Sequence, residues 1–262
     1  MLRRCGAIAE LLALSSASCL QGPAGANEAV SDAYLIMSVV ATGVRPLAVL
    51  RATRPDLRAV VLCTLDATAH RAWVELGIDR YLACSTMADA TVRTYLADAD
   101  VAVIPPPVRP ERFTAPSRAA ARQSLGVAAE GPTALPLGGA WTKGPREALA
   151  EGLALAGVEV VAITGHHARL HRRLDAWAER LAPAERRLHA YAHRDDMASC
   201  FAAADVVVTP PGQACREAPV VGRPLVVLDS VPGHGRENLL LELTRPGNAP
   251  TCGHPPRRPP RP

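Results

Sequence analysis

The sequence predicts an α/β fold with two parallel sheets, on three observations. From Tyr34 onward, apolar runs rich in β-branched residues alternate with amphipathic stretches, as in strand–helix units that feed a parallel sheet. These runs are almost continuously hydrophobic, which indicates burial on both faces. Five prolines in residues 105–116 interrupt the series, because proline lacks a backbone donor and fixes φ. A chain of 262 residues is long enough for two small domains, so we place a boundary there.

Nine runs are predicted as strands, four before the boundary and five after it. The first four are residues 35–40, 59–63, 80–84 and 101–104. The other five lie near 133–137, 158–164, 187–190, 205–209 and 224–228. Helical patterns separate them, and in residues 86–97 Met87, Thr91 and Tyr95 are spaced along one side. Gly126, Gly157 and Gly222 fall where helix ends or turns are needed.

The two ends of the chain lack this pattern. Residues 1–29 are expected to form an irregular N-terminal segment. Their apolar run imitates a signal peptide, but Glu10 interrupts it, which favours the remnant of a helix over an export signal. Residues 246–262 contain seven prolines and are expected to be disordered. No segment approaches the roughly 20 apolar residues of a membrane span.

Charge and cysteine usage narrow the choice of partner and compartment. The net charge is +4, but Arg257, Arg258 and Arg261 belong to the tail, so the body is near neutral and nucleic acid is not the expected partner. The seven cysteines form no CxxC pair, and Cys63 and Cys84 end apolar runs where a thiol packs as a small hydrophobe. A cytoplasmic protein is therefore expected.

Residues 205–238 carry the strongest functional signal. A strand, a glycine turn, a short helix with Glu217, a second strand and a polar loop leading to Asn238 follow one another. This order places N–H groups, a carboxylate and a carboxamide at the carboxyl ends of adjacent parallel strands, where phosphate-bearing ligands bind. Gly138 and Gly139 also follow a predicted strand, so their N–H groups can approach a diphosphate without a Cβ in the way. A plain tight turn explains these two glycines equally well.

Four blocks, taken in order, resemble the GT-B glycosyltransferases that include monogalactosyldiacylglycerol synthases and diacylglycerol glucosyltransferases, and more distantly the peptidoglycan N-acetylglucosaminyltransferase. The blocks are DATAHRAWVELGIDRY (66–81), PPPVRPERF (105–113), LPLGGAWTKGP (135–145) and the span from DDM (195–197) to PGHGREN (232–238). The resemblance implies a GT-B-like fold of two Rossmann-like lobes with parallel sheets, facing across a cleft. Residues 30–113 would be an incomplete acceptor-side lobe, and 114–245 the lobe that binds the nucleotide-sugar donor.

The resemblance implies donor-binding roles for Gly138, Gly139, Gly165, Gly212, Glu217 and Asn238. Glu217 would bind the ribose hydroxyls, Asn238 the sugar, and the backbone at Gly165 the uracil edge. Each of these three also has a structural explanation. Gly165 would serve a simple turn, Glu217 would be a solvated helix charge, and Asn238 would cap a helix.

The catalytic base is not identified. Asp66 and His70 follow a predicted strand four residues apart, and Asp66 could orient His70, whose residue type titrates near neutral pH. Capping of a helix is the alternative for Asp66. Nothing in residues 1–35 matches the glycine-rich turn with histidine that the family places beside the acceptor hydroxyl. Because apolar patterning also stops after Leu243, we expect a member truncated at both ends.

The histidine-rich stretch that begins at His166 has two explanations, a metal site and a basic helix surface. His167 and His171 form an i, i+4 pair next to His166, but no carboxylate or cysteine stands at ligand spacing nearby. A basic helix surface that includes Arg169 and Arg172 explains the stretch better. We therefore predict no metal, and no cofactor besides the UDP-sugar, which is a substrate.

The sequence thus supports a hypothesis of metal-independent, inverting transfer of a hexose from a UDP-sugar to a hydroxyl acceptor. The family suggests a lipid acceptor, and hence peripheral contact with the inner face of the membrane. Because His234 and Gly235 replace the family's glutamine and glutamate, the sugar cannot be inferred. Two alternatives remain, a catalytically incomplete UDP-sugar-binding module and a UDP-sugar epimerase on the same scaffold.

Overall fold

A computed structural model of the chain describes residues 33–63, 67–138, 146–181, 187–229 and 233–244. The chain divides into two compact units, Met1–Pro107 and Val108–Pro262, and the division falls within the proline-rich segment. All nine predicted strands form, each within two residues of its predicted bounds. The predictions for residues 1–29 and 246–262 lie outside the described residues.

The first unit contains a four-stranded parallel sheet in the order β1-β2-β3-β4. Its strands are β1 (Leu35–Ser38), β2 (Arg58–Cys63), β3 (Arg80–Ala83) and β4 (Val101–Val103). Helix α1 (Val44–Thr53) follows β1, and helix α2 (Thr86–Tyr95) follows β3. Val61, Trp73 and Tyr81 pack together in the core of this unit. Cys63 and Cys84 are buried, as the sequence predicted.

Helix α2 buries a different face from the one formed by Met87, Thr91 and Tyr95. Met87 and Tyr95 are 37% and 49% exposed, whereas Ala88 and Val92 are fully buried. The predicted spacing along one side is correct, but that side is not the core side. Ala88 and Val92 are compact apolar side chains, which suit a tightly packed interior, whereas the longer Met87 and Tyr95 side chains remain partly in solvent.

The second unit contains a five-stranded parallel sheet in the order β7-β6-β5-β8-β9. Its strands are β5 (Thr133–Pro136), β6 (Glu159–Ile163), β7 (Leu188–Tyr191), β8 (Val206–Thr209) and β9 (Leu225–Val227). Its helices are α3 (Arg118–Leu125), α4 (Arg146–Leu155), α5 (Ala168–Glu179), α6 (Met197–Ala203), α7 (Ala214–Val220) and α8 (His234–Leu243). Gly126, Gly157 and Gly222 have φ of +61°, +82° and +72°, which confirms their predicted places at helix ends and turns.

The strand order of the second unit creates a topological switch point. Successive strands run outward from β5 to β7, and the chain then returns to the other side of β5 to form β8 and β9. At such a reversal the connections leave the sheet in opposite directions, and a crevice opens at the carboxyl ends of the two central strands. In this unit those strands are β5 and β8.

A carboxylate clamp fixes the opposite, amino-terminal edge of β5 and β8. Asp205, directly before β8, accepts a hydrogen bond from the Thr133 backbone N–H at 2.9 Å. The same carboxylate forms ion pairs with Arg118 and with Arg122, whose side chain is 3% exposed. Arg122 also donates to the carbonyl of Ala203 at 3.0 Å. The clamp therefore ties helix α3 to the register of the two strands that flank the switch point.

Candidate functional site

Two of the predicted glycines lie on either side of the switch point. The Leu137 N–H donates to the Val208 carbonyl at 2.8 Å, which extends the β5–β8 pairing by one residue. Gly138 follows and is buried. Gly212 lies three residues beyond the end of β8, and its carbonyl accepts from the Cys215 N–H at 3.0 Å as the chain turns into α7. Gly139 lies outside the described residues, so the rest of the predicted diphosphate turn stays a prediction.

Gly165 follows β6 at the same edge of the sheet and has φ of +60°. A Cβ built at this position meets no atom within 4 Å, so backbone conformation and not crowding favours glycine. The turn explanation therefore accounts for this residue. Contact between its backbone and a uracil ring stays a prediction.

Glu217 is buried and ion-paired, which contradicts its explanation as a solvated helix charge. It is the fourth residue of α7 and is 7% exposed. Its Oε2 accepts from the Arg112 Nε at 3.0 Å, and Arg112 is 5% exposed. Among the described residues, no other donor reaches the side-chain carboxylate. Ribose binding by Glu217 stays a prediction, but the residue lies at the edge where that role requires it.

Asn238 is half-buried within α8, which follows β9. The N-cap of this helix is Gly233, with φ of +66°, so Asn238 does not cap the helix. The capping explanation is therefore wrong for this residue. Asn238 is the fifth residue of a helix that begins after β9, at the carboxyl edge of the sheet, and contact of its side chain with the sugar stays a prediction.

Further polar and charged groups follow the carboxyl end of β7. The Arg194 guanidinium lies 5.1 Å from the centre of the Tyr191 ring. Asp196 caps α6 through the Ser199 N–H at 3.1 Å, and hydrogen bonds from Ser199 hold the pKa of Asp196 below its usual value. Burial raises the pKa of the Cys200 thiol to about 11, which favours its protonated form at neutral pH.

The histidines near β6 and β7 serve local contacts. The rings of His166 and His193 stack with centroids 4.5 Å apart. His167 caps α5 by accepting from the Leu170 N–H at 3.1 Å. His171 lies 3.2 Å from the carboxylate of Asp175, four residues along the helix, so the expectation that no carboxylate stands nearby is wrong. Within the described ranges, no group of three or more His, Cys, Asp or Glu side chains is placed to hold a metal ion.

His70 belongs to the first unit, where it immediately precedes a short 3-10 helix, Arg71–Trp73. It is half-buried, and its ring centroid lies 6.2 Å from that of Trp73. Asp66 lies outside the described residues, so the pairing of Asp66 with His70 stays a prediction.

Of the helices that the structure describes, none is long and apolar enough to cross a bilayer.

Sequence reasoning missed Arg112 and Phe201. Arg112 was part of the PPPVRPERF block, which indicated only a link between lobes, and its partner Glu217 lies 105 residues away. The Arg112 guanidinium also lies 5.3 Å from the centre of the buried Phe201 ring. A single sequence contains no signal for a contact at such a separation.

No protein-family model matches the sequence, and no curated protein matches it. Solved structures do match its fold. Sucrose-phosphate synthase from Thermosynechococcus elongatus is 17% identical, with a TM-score of 0.58 over 79% of this chain and 59% of that one. Anabaena HepE, in complex with UDP and glucose, is 18% identical, with a TM-score of 0.54 over 82% of this chain and 64% of that one. A glycosyltransferase from Rickettsia africae is 10% identical, with a TM-score of 0.53 over 82% of this chain and 63% of that one.

These neighbours are GT-B glycosyltransferases, and the predicted GT-B-like α/β class with two parallel, Rossmann-like sheets is confirmed. The narrower subgroup of galactolipid and glucolipid synthases is not specifically supported. The chain spans 59% to 64% of the length of the first structures it resembles. Similarity at this level of identity establishes the fold alone.

Proposed function

We propose that the chain acts in a GT-B glycosyltransferase that takes a hexose from a UDP-sugar, with the donor held at the switch point of the second unit. The observation that carries the proposal is the convergence of Gly138, Gly212 and Glu217 at the carboxyl ends of β5 and β8. The complex of the neighbour HepE with UDP and glucose supports the choice of donor.

Each residue has a chemical task in this proposal. Backbone N–H groups near Gly138 and Gly212 would face the diphosphate, and they would stabilise the UDP leaving group as charge develops on it. Glu217 would accept hydrogen bonds from the ribose hydroxyls through Oε1, because Oε2 is bonded to Arg112. Asn238 would donate to and accept from sugar hydroxyls.

The reaction we propose is a metal-independent transfer to an acceptor hydroxyl with inversion at the anomeric carbon. The acceptor oxygen attacks that carbon, the bond to the UDP oxygen breaks, and a base removes the acceptor proton. His70 remains the candidate base, and a lipid remains the acceptor class that the sequence resemblance suggests. A lipid acceptor would place the enzyme at the inner face of the membrane.

Calorimetric titration with UDP tests the donor site. The wild-type chain is expected to bind UDP, and Glu217→Gln is expected to weaken binding about tenfold, in the range of a lost hydrogen bond to a charged group. Glu130→Gln, which alters an exposed glutamate in a turn, is the matched control and should bind as wild type. Failure of the wild-type chain to bind UDP at saturating concentration would overturn the proposal.

A separate assay distinguishes the chemical alternatives. UDP release from UDP-glucose, UDP-galactose or UDP-N-acetylglucosamine that depends on a hydroxyl acceptor supports transfer. Conversion of the donor to its epimer without an acceptor would identify the epimerase, and UDP binding with neither reaction would identify a binding module.

A further inference from the structure

Arg112 occupies an unusual position for an arginine in a linking segment. It ends a short 3-10 helix, Pro110–Arg112, at the start of the second unit. Its neighbours Glu111 and Phe113 are exposed, but Arg112 itself is buried. The backbone turn, closed by the Arg112 N–H donating to the Arg109 carbonyl at 3.0 Å, therefore directs one long cationic side chain into the unit.

Two contacts fix the orientation of that side chain. Its guanidinium carbon, Cζ, lies over the Phe201 ring on α6, 5.3 Å from the ring centre, and its Nε donates to Glu217 Oε2 on α7 at 3.0 Å. A planar guanidinium held by an aromatic ring has little rotational freedom, so it transmits this constraint to the carboxylate that it bonds. Glu217 therefore has one oxygen tethered and the other, Oε1, held in a defined direction.

Stability alone is a weak explanation for this pair. Both side chains are less than a tenth exposed, and the cost of removing two charges from water largely cancels their attraction. The second unit contains another arginine–carboxylate pair, Arg122 with Asp205, at the amino-terminal edge of the sheet. That pair ties strands together, whereas the Arg112 pair lies at the carboxyl edge beside the switch point.

We infer that Arg112 is a positioning residue, which holds the Glu217 carboxylate in the orientation that recognises the ribose hydroxyls of a nucleoside diphosphate. This inference rests on the proposed donor site. It adds that ribose recognition depends on a residue of the short 3-10 helix at the start of the second unit, and not only on the helix that carries Glu217.

The test compares the affinity for UDP with that for 2′-deoxy-UDP, both by calorimetry. We define the ribose preference as the ratio of the two dissociation constants, which a general loss of stability does not change. Glu217→Gln and Arg112→Gln are each expected to lower the preference about tenfold, and the double variant should lose no more than either single one. Arg112→Lys, which keeps the charge but not the planar fork, should give an intermediate value.

Arg122→Gln is the control, because it removes another buried arginine that is paired with a carboxylate, here the half-buried Asp205, away from the crevice. It should lower the thermal midpoint and leave the ribose preference unchanged. A wild-type preference in Arg112→Gln, together with a lost preference in Glu217→Gln, would overturn the inference while the donor site stands. If Arg112→Gln does not fold, Arg112→Lys decides by the same criterion. Absence of UDP binding by the wild-type chain would overturn the proposed function and this inference with it.

Discussion

Asp205 connects the stability of the second unit to pH. Burial raises the pKa of this carboxyl, but the Thr133 N–H and the guanidinium groups of Arg118 and Arg122 outweigh that effect and lower the pKa below its ordinary value. Because the native pKa is lower than the unfolded one, the contribution to stability is complete above roughly pH 5. It is lost as the pH falls through the native pKa.

Replacing Asp205 by asparagine should therefore lower the free energy of unfolding at pH 7 by about 1–3 kcal/mol. The difference from wild type should be smaller at pH 3, because the carboxyl is then protonated in the unfolded chain and the advantage of its lowered native pKa is being lost. Urea denaturation at the two pH values measures both quantities. Asp195→Asn alters a carboxylate whose side chain is fully exposed, and it should change neither quantity. An equal difference at both pH values would contradict the assigned role.

Two glycines at the carboxyl edge should respond differently to replacement by alanine, one by losing stability and the other by losing UDP affinity. Gly165→Ala should destabilise the chain by about 1–2 kcal/mol, because φ of +60° is costly for a residue with a Cβ. Gly212 does not have a positive φ, and a Cβ there also meets no atom within 4 Å, so Gly212→Ala should leave stability nearly unchanged. If the diphosphate approaches this backbone, Gly212→Ala should still weaken UDP binding. Thermal unfolding and UDP titration of both variants separate the effects, and unchanged UDP affinity in Gly212→Ala would remove this glycine from the site.

At the level of elements, the start of helix α2 depends on a buried serine. Ser85 Oγ accepts from the Ala88 N–H at 2.9 Å and donates to the Ala67 carbonyl at 2.8 Å. Ser117 caps α3 more weakly, accepting from the Ala120 N–H at 3.3 Å in an exposed position. Ser85→Ala should cost about 1–2 kcal/mol of unfolding free energy, and Ser117→Ala less than about 1 kcal/mol. Equal losses in urea denaturation would contradict the difference in burial.

The elements also show how far the sequence predicts this fold. All nine strands were predicted because strands buried on both faces are continuously apolar, and that property is local to each run. The buried face of α2 was not predicted, since Ala88 and Val92 have smaller side chains than Met87 and Tyr95 and so mark a face less conspicuously in the sequence. The glycines of the site could be placed because each follows a strand. The pairing of Arg112 with Glu217 could not, because only the folded sheet brings residues 105 positions apart together.

At the scale of the whole molecule, strand order distinguishes the two units. Among its described strands, the first unit runs in the simple order β1-β2-β3-β4 and has no reversal. The second unit reverses between β5 and β8, and only a reversal opens a ligand crevice at the carboxyl ends of the strands. The donor is therefore expected in the second unit, at the switch point between β5 and β8. The order of the strands determines this location, and individual side chains determine the contacts made there.

Hydrogen–deuterium exchange of the full chain with and without UDP tests this central claim most directly. Saturating UDP should slow exchange most at the carboxyl ends of β5 and β8 and at the start of α7, around Gly138 and from Gly212 to Glu217. Strands β2 and β3 of the first unit should change least. Unchanged exchange around the switch point at saturating UDP, or protection confined to the first unit, would contradict the account.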